Sequence, residues 1–319
     1  MPLFSTNKQP QIIRSVSYPQ RAHTVRFSAP AKPKKPYKAL SFVVVAVGIL
    51  GTVVMFNHFH KSNSQAPKSE SAKVATVAAK PLPPKKLDFT VMNSTISAAI
   101  QQYPLMDIGV SVIDIKTGDA ENYGVQNPFE AASTAKLLTA ITYLHDVEQG
   151  KDTLSQPVGT RTGQEALKAM IINSDNEAWN DFNNGLMSHA ELSAYAAKIG
   201  LKNYNPDSNT ITPASIALLL SDLYQEKLIS HQHTQLLLSY MLQAKEVEYI
   251  TDAVPAGTKV YHKPGYLGDR VNDAAIVDNG SRPYVLVIFS KSRTDSYNTT
   301  QGAALFKQIT LATLAVFSK

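Results

Sequence analysis

Ser133-Thr134-Ala135-Lys136 stands at the head of a segment whose pattern predicts a helix as far as about Leu144. Residues at positions i and i+3 share one helix face, so the Ser133 hydroxyl and the Lys136 amine can meet. A serine hydroxyl is a poor nucleophile unless a base takes its proton, and a lysine whose neutral form is favoured by burial can act as that base. Taken alone, the segment is better explained by a serine N-cap and a solvated lysine.

Patterns typical of β-strands lie on both sides of this helix. Five such runs are present, at residues 108–115, 120–125, 259–263, 274–277 and 284–290. Helical spacing is found at residues 87–102 and 306–316, and nearly everything from the end of the Ser133 helix to about Lys245 has the pattern of helix or loop. The sequence predicts an α+β fold, in which a five-stranded antiparallel sheet is flanked by the terminal helices. The central helices form a second, all-helical lobe, with a groove between the two parts.

A second candidate motif is Ser174-Asp175-Asn176, which follows a helical pattern. The Ser174 hydroxyl could relay a proton to a leaving group, and the Asn176 amide could hold a substrate carbonyl. Another helix N-cap, formed by Asp175, is the better explanation of the motif when it is taken alone.

A third candidate motif is His262-Lys263-Pro264-Gly265, in a predicted strand. Lys263 would supply positive potential beside a reacting centre, and Gly265 would let the backbone come close to a substrate. The amides of Tyr266 and Ser133 are candidates for an oxyanion hole. An ordinary edge strand that ends in a Pro-Gly turn is the alternative.

In this order and context, the S-x-x-K, S-D-N and K-x-G motifs resemble those of the penicillin-recognising serine enzymes. Ser-Asp-Asn-x-Ala-x-Asn at residues 174–180 and a helix opening at Thr212-Pro213 are similar to the class A β-lactamase-like group. The resemblance covers roughly residues 88–318 and implies an α+β serine acyl-enzyme fold without metal or cofactor. It implies roles for seven residues. Ser133 is the nucleophile, Lys136 its base partner and Ser174 the proton shuttle, and the substrate contacts are Asn176, Lys263, Gly265 and Tyr266.

The chain departs from the pattern of the group at two places. The interval from Asn180 to Thr212 lacks the Glu-x-x-Leu-Asn element whose glutamate activates the deacylating water; its nearest counterpart is residues 205–209, which begin with Asn205. Asp207 is a candidate replacement base, although a turn residue is the preferred interpretation. Pro264 replaces the usual Thr or Ser and cannot donate a hydrogen bond to a substrate carboxylate. We therefore expect acylation of Ser133 followed by slow release.

Three functional hypotheses follow from these residues. The first is a serine hydrolase or acyltransferase that acts on β-lactams or on cell-wall peptides ending in a carboxylate. The second is a D,D-peptidase-like cell-wall enzyme, which would use the same residues with a different leaving group. The third is a binding module that keeps the fold without catalysis; Pro264 and the missing glutamate favour it. Catalysis is favoured because five residues of the motifs are present together, namely Ser133, Lys136, Ser174, Asn176 and Lys263.

The N-terminal part of the chain differs in composition from the rest. Residues 39–56 are an uncharged apolar run that predicts one transmembrane helix, and the lysines just before it predict that the N-terminus stays inside. Residues 1–38 form a basic cytoplasmic tail predicted to be disordered, residues 57–86 a cationic Pro/Ala/Lys linker, and residues 87–319 the catalytic domain. A cleaved signal peptide is the alternative to the anchor. By resemblance, the location is the bacterial cytoplasmic membrane, with the domain outside.

The formal charge of +6 is a sum of unlike parts. Residues 1–38 carry +8, residues 57–86 carry +5 and residues 87–319 carry −7. An acidic domain argues against a nucleic-acid partner, whose binding surface would be basic. The chain has no cysteine, which excludes disulfides, zinc–thiolate sites and cysteine nucleophiles.

Overall fold

An antiparallel five-stranded sheet organises the part of the chain that the computed structural model describes, which is residues 85–201, 203–245 and 249–318. These residues all belong to one unit, Val77–Lys319. The sheet has the order β2-β1-β9-β8-β7, so strands from both ends of the domain meet in it. Its members are β1 (Met106–Asp114), β2 (Ala120–Gly124), β7 (Lys259–Leu267), β8 (Arg270–Asp278) and β9 (Tyr284–Ser292). The predicted antiparallel sheet is confirmed, with β7, β8 and β9 each longer than the sequence pattern indicated.

The helices divide into a terminal pair and a central group. Those of the described residues are α1 (Thr90–Gln101), α2 (Lys136–Glu148), α3 (Gly163–Ile172), α4 (Asn176–Asn180), α5 (His189–Lys198), α6 (Pro213–Tyr224), α7 (His231–Met241) and α8 (Thr299–Phe317). Two short strand pairs beside the central helices were not predicted from the sequence. They are β3 (Phe129–Glu130) with β6 (Thr210–Ile211), and β4 (Pro157–Val158) with β5 (Arg161–Thr162).

Side chains that alternate along the sheet enter two separate cores. In β9, Val287 and Phe289 join the core shared with the central helices, whereas Leu286 and Ile288 join the core shared with α1 and α8. All four side chains are fully buried. A strand covered on both faces has an almost continuous apolar sequence, which is why this strand was recognisable without polar alternation.

Helix starts are marked by residues that accept backbone hydrogen bonds. Thr212 caps α6 by accepting from the Ser215 amide, and Pro213 follows at the first helical position, as expected from the Thr-Pro pattern. Thr162 and Glu165 form a reciprocal capping box at α3. This capping box fixes where α3 begins, and α3 leads into the Ser174-Asp175-Asn176 motif.

The predicted tail, transmembrane helix and most of the linker lie outside the described residues. Within the described ranges, no helix is both long and apolar enough to cross a bilayer.

Candidate active site

The first motif lies where a short 3₁₀ turn, Ala132–Ala135, runs directly into α2. Ala132 has a φ of +50°, an uncommon value for a residue with a Cβ, so the turn that presents the next residue, Ser133, is a constrained one. Lys136 is the first residue of α2, and its side chain is fully buried. Its Nζ donates to Ser133 Oγ at 2.9 Å, so the predicted pair of nucleophile and base is in contact.

Lys136 also binds the second motif. Its Nζ lies 2.6 Å from the Ser174 carbonyl oxygen, 2.6 Å from Asn176 Oδ1 and 3.2 Å from Ser174 Oγ. With Ser133 Oγ, these are four acceptors around a group that has at most three protons to donate. The arrangement is that of an ammonium ion, which offsets the cost of burying its charge through hydrogen bonds. Lys136 must therefore lose a proton before it can serve as a base.

Ser174 is the point at which two buried lysines meet. Its Oγ accepts from Lys263 Nζ at 2.9 Å as well as from Lys136. Lys263 also reaches the carbonyl oxygen of Pro264 at 3.0 Å, and its side chain is fully buried. Because the two ammonium groups occupy the lone pairs of Oγ, the hydroxyl proton of Ser174 is left to point elsewhere. Ser174 has a φ of +55°, and such strain is frequent at functional sites.

Asp175 supports the second motif from its other side. It caps α4, accepting from the Ala178 amide at 3.0 Å, and pairs with Arg161 at 2.9 Å. The hydrogen bond from the Ala178 amide holds the pKa of Asp175 below its usual value, and Arg161 acts in the same direction. The alternative interpretation of the motif as an N-cap is thus correct for Asp175 and compatible with roles for Ser174 and Asn176 in catalysis.

The third motif passes very close to Ser133, the predicted nucleophile. A Cβ added to Gly265 would lie 2.8 Å from the Ser133 amide nitrogen and 3.0 Å from the Cβ of Ala132. Gly265 therefore permits close approach to the nucleophile turn itself, in addition to any approach to substrate. The amide of Tyr266, one residue further along, stays a predicted oxyanion donor together with that of Ser133. Pro264 is accommodated because β7 is at the edge of the sheet.

A cavity of about 430 Å³ opens beside Ser133. It is lined by Ser133, Asn176 and Tyr266 from the predicted set, and by Glu130, Ala132, Trp179, Asn180, Asn209 and Leu267. Sequence reasoning did not assign these last six residues to the site. Trp179 lies three residues after Asn176 on α4, and that helical spacing was the available signal. Glu130 and Asn209 come from the paired region of β3 and β6, and their nearness to Ser133 depends on tertiary structure.

In the loop that replaces the glutamate element, Asn209 lines the cavity, but the side chains of Asn205 and Asp207 make contacts outside it. Asn205 Oδ1 accepts from the amides of Asp207 and Ser208, at 2.9 and 3.1 Å, in a local turn. The Asp207 side chain is 83% exposed and contacts His189 at 2.7 Å. Neither Asn205 nor Asp207 lines the cavity. The interpretation of Asp207 as a turn residue agrees with this geometry.

The structure thus brings the predicted residues together. Ser133, Lys136, Ser174, Asn176 and Lys263 form one hydrogen-bonded cluster, and Gly265 and Tyr266 lie beside it. A serine hydrogen-bonded to a fully buried lysine, which also contacts a second serine beside the edge strand of an antiparallel sheet, defines the class of serine acyl-enzymes.

Comparison with known proteins agrees with this class. The model of the beta-lactamase enzyme family matches residues 92–317. Beta-lactamase CARB-3 of Pseudomonas aeruginosa is 25% identical over 218 residues, which cover 57% of this chain and 76% of the relative. Among solved structures, a single-site mutant of PBP-A, in an acyl-enzyme complex with penicillin G, is 25% identical with a TM-score of 0.65, covering 73% of this chain and 98% of that one.

A second solved structure has the same fold. It is a mutant of the class A beta-lactamase of the last common ancestor of Gram-negative bacteria. The identity is 24% and the TM-score 0.65, over 71% of this chain and 98% of that one. The chain belongs to the beta-lactamase enzyme family. It is a serine hydrolase of the class A β-lactamase-like group.

Proposed function

We propose that this chain forms an acyl-enzyme at Ser133 with β-lactams or cell-wall peptides, and that it releases the acyl group slowly. The observation that carries the proposal is the continuous hydrogen-bonded path from Ser133 Oγ through Lys136 Nζ to Ser174 Oγ, with steps of 2.9 and 3.2 Å. Such a path can take a proton from the nucleophile and deliver it to a leaving group without water.

The acylation step follows from this path. Neutral Lys136 takes the proton of Ser133 as Oγ attacks the carbonyl carbon, and a tetrahedral oxyanion forms. Ser174 then gives its proton to the leaving nitrogen and takes one from Lys136, so that the carbon–nitrogen bond breaks and the amine leaves neutral. Lys263 keeps its positive charge throughout. From its place beside Ser174 Oγ, that charge stabilises the negative charge of the tetrahedral oxyanion as it develops.

Slow release of the acyl group is supported by the positions and partners of the carboxylates that the described residues place around the cavity. Among those residues, Glu130 is the only acidic one in the lining, and Arg270 holds it at 2.8 Å. Asp207 is at the surface with His189. Loss of a positioned general base costs about 10²–10⁴ in rate. Hydrolysis of the acyl-enzyme should therefore fall well behind its formation.

The substrate class rests on the likeness to relatives. The solved PBP-A mutant is an acyl-enzyme with penicillin G, which makes β-lactams the first candidates here. A D,D-peptidase-like reaction on cell-wall peptides is the second candidate. It would use the same residues with a different leaving group.

The decisive experiment mixes the full-length chain in detergent with a fluorescent penicillin, with Ser133→Ala as the control. Covalent label on the wild type alone is expected. Its absence refutes acylation by β-lactams. Where label forms, a chromogenic cephalosporin distinguishes the fates, because a burst equal to the enzyme concentration indicates trapping and steady turnover contradicts slow release. Lys136→Ala should fold and remain unlabelled.

The proposal includes a membrane anchor at residues 39–56, with the N-terminus inside and the domain on the outer face of a bacterial cytoplasmic membrane. It is supported by the apolar run and by the lysines that precede it. The chain should stay in the membrane pellet after alkaline extraction, and protease added to spheroplasts should digest the domain. A shortened, soluble chain would instead indicate a cleaved signal.

A further inference from the structure

Trp179 contacts the catalytic lysine, and the acylation scheme gives it no role. It lies on α4 three residues after Asn176, so both side chains occupy the same face of the helix. Lys136 Nζ lies over the Trp179 ring, 5.5 Å from its centroid. The ring also forms part of the cavity wall beside Ser133. Trp179 therefore contacts both the ammonium group and the substrate space.

The orientation of this ring is held by α2 itself. Trp179 Nε1 donates to Thr139 Oγ1 at 3.0 Å, and Thr139 donates in turn to Asn183 Oδ1 at 3.0 Å. Thr139 is 1% exposed and Asn183 7% exposed. Thr139 follows Lys136 by three residues on the same helix, so one helix presents the ammonium group and also the hydroxyl that fixes the ring beside it.

An aromatic face attracts an ammonium ion but has little effect on a neutral amine, and the attraction is larger when the cation is shielded from water. Lys136 is fully buried, which is the favourable case. Lys263 shares Ser174 Oγ with Lys136, Asp175 lies nearby with its partner Arg161, and Glu130 lines the cavity beside Ser133. Replacing Trp179 by an uncharged residue leaves all of these in place.

We propose that Trp179 is a positioning residue that stabilises the protonated form of Lys136 through its ring face, and so sets the pH above which Ser133 can be acylated. The second clause rests on the proposed function. The sign follows from the scheme, since Lys136 must lose a proton before it can act as a base. Without the ring, Lys136 loses that proton at lower pH, and the acid limb of the acylation profile moves down by roughly 0.4 to 1.5 pH units.

The direct test is a titration of Lys136 by NMR in the full-length chain, with lysine labelled at ¹³Cε and the signal assigned through Lys136→Arg. The wild type, Trp179→Phe and Trp179→Leu are compared. The expected order of titration midpoints is wild type highest, phenylalanine intermediate and leucine lowest. Thr139→Val, which keeps the ring and removes its anchor, should lower the midpoint less than leucine does. An unchanged or higher midpoint in Trp179→Leu overturns the proposal.

The pH profile of Ser133 labelling by a fluorescent penicillin is measured on the same variants. A shifted acid limb is expected, whereas a purely structural role for Trp179 would lower the rate equally at every pH. The NMR titration needs no acylation, so a chain that is never labelled refutes the proposed function while the midpoints still decide the role of the ring. If Trp179→Leu does not fold, the phenylalanine and Thr139→Val variants decide it.

Discussion

Gly265→Ala tests how closely β7 must approach the nucleophile. The added methyl group would lie 2.8 Å from the Ser133 amide nitrogen and 3.1 Å from the Ala131 carbonyl oxygen. Both neighbours are backbone atoms, so neither can rotate away. Ordinary carbon contacts are longer by more than half an ångström, so β7 and the turn must separate by about 0.5 Å. That separation displaces the Tyr266 amide from the position predicted for the oxyanion.

A misplacement of about 1 Å can cost about 10²-fold in rate, so we expect about a tenfold loss in the rate constant of Ser133 labelling. Overpacking should also lower the free energy of unfolding by about 1–3 kcal/mol. Stopped-flow labelling with a fluorescent penicillin and urea unfolding measure the two effects. Gly268→Ala is the matched control, because a Cβ at Gly268 would meet nothing within 4 Å. Labelling of Gly265→Ala at the wild-type rate would refute the reasoning.

Three further predictions concern the second motif and its support. Ser174→Ala should fold normally and acylate about 10²–10⁴-fold more slowly in the labelling assay, because the proton path from Lys136 loses its end; a smaller effect argues for a path through water. Asp175→Ala should cost about 1 kcal/mol in urea unfolding at neutral pH through the lost cap. The pKa of Asp175 is lowered by folding from 3.8, so this difference should persist above that pH and shrink as the pH falls below it; a constant difference would exclude the charge as its source. Thr162→Ala should also cost about 1 kcal/mol, by opening the capping box of α3, and a variant as stable as wild type would contradict that role.

Much of the sheet could be predicted because its strands are buried on both faces. The apolar run from Tyr284 to Ser290 was recognisable from its composition, and its alternate members fill two cores. The part of β7 that follows Lys263 was not predicted as strand, because it begins with Pro264 and Gly265. Its strand character comes from pairing with β8, as in the register of Pro264 with Asp273. Such pairing is a tertiary fact that a local pattern does not carry.

The candidate site divides in the same way. Ser133 and Lys136 are three residues apart at the start of one helix, so their contact follows from local geometry. The convergence of Lys136 and Lys263 on Ser174 joins residues far apart in sequence and required the resemblance to a known family. Neither local geometry nor the resemblance to a family predicted Glu130 as a residue of the site. It reaches the cavity through the pairing of β3 with β6.

The pairing of β1 with β9 has a consequence for how this chain acquires its shape. Val110 lies opposite Ile288, so the centre of the sheet is completed by a strand that is synthesised long after β1. Contacts so distant in sequence slow folding, because a long loop must close before they are formed. A chain cut before Tyr284 would keep all three motifs and lack β9, which joins β1 to the strand pair that carries Lys263. Ser133 and Lys263 are therefore both translated before β9, and Lys263 is fixed beside Ser133 only when β9 has been made.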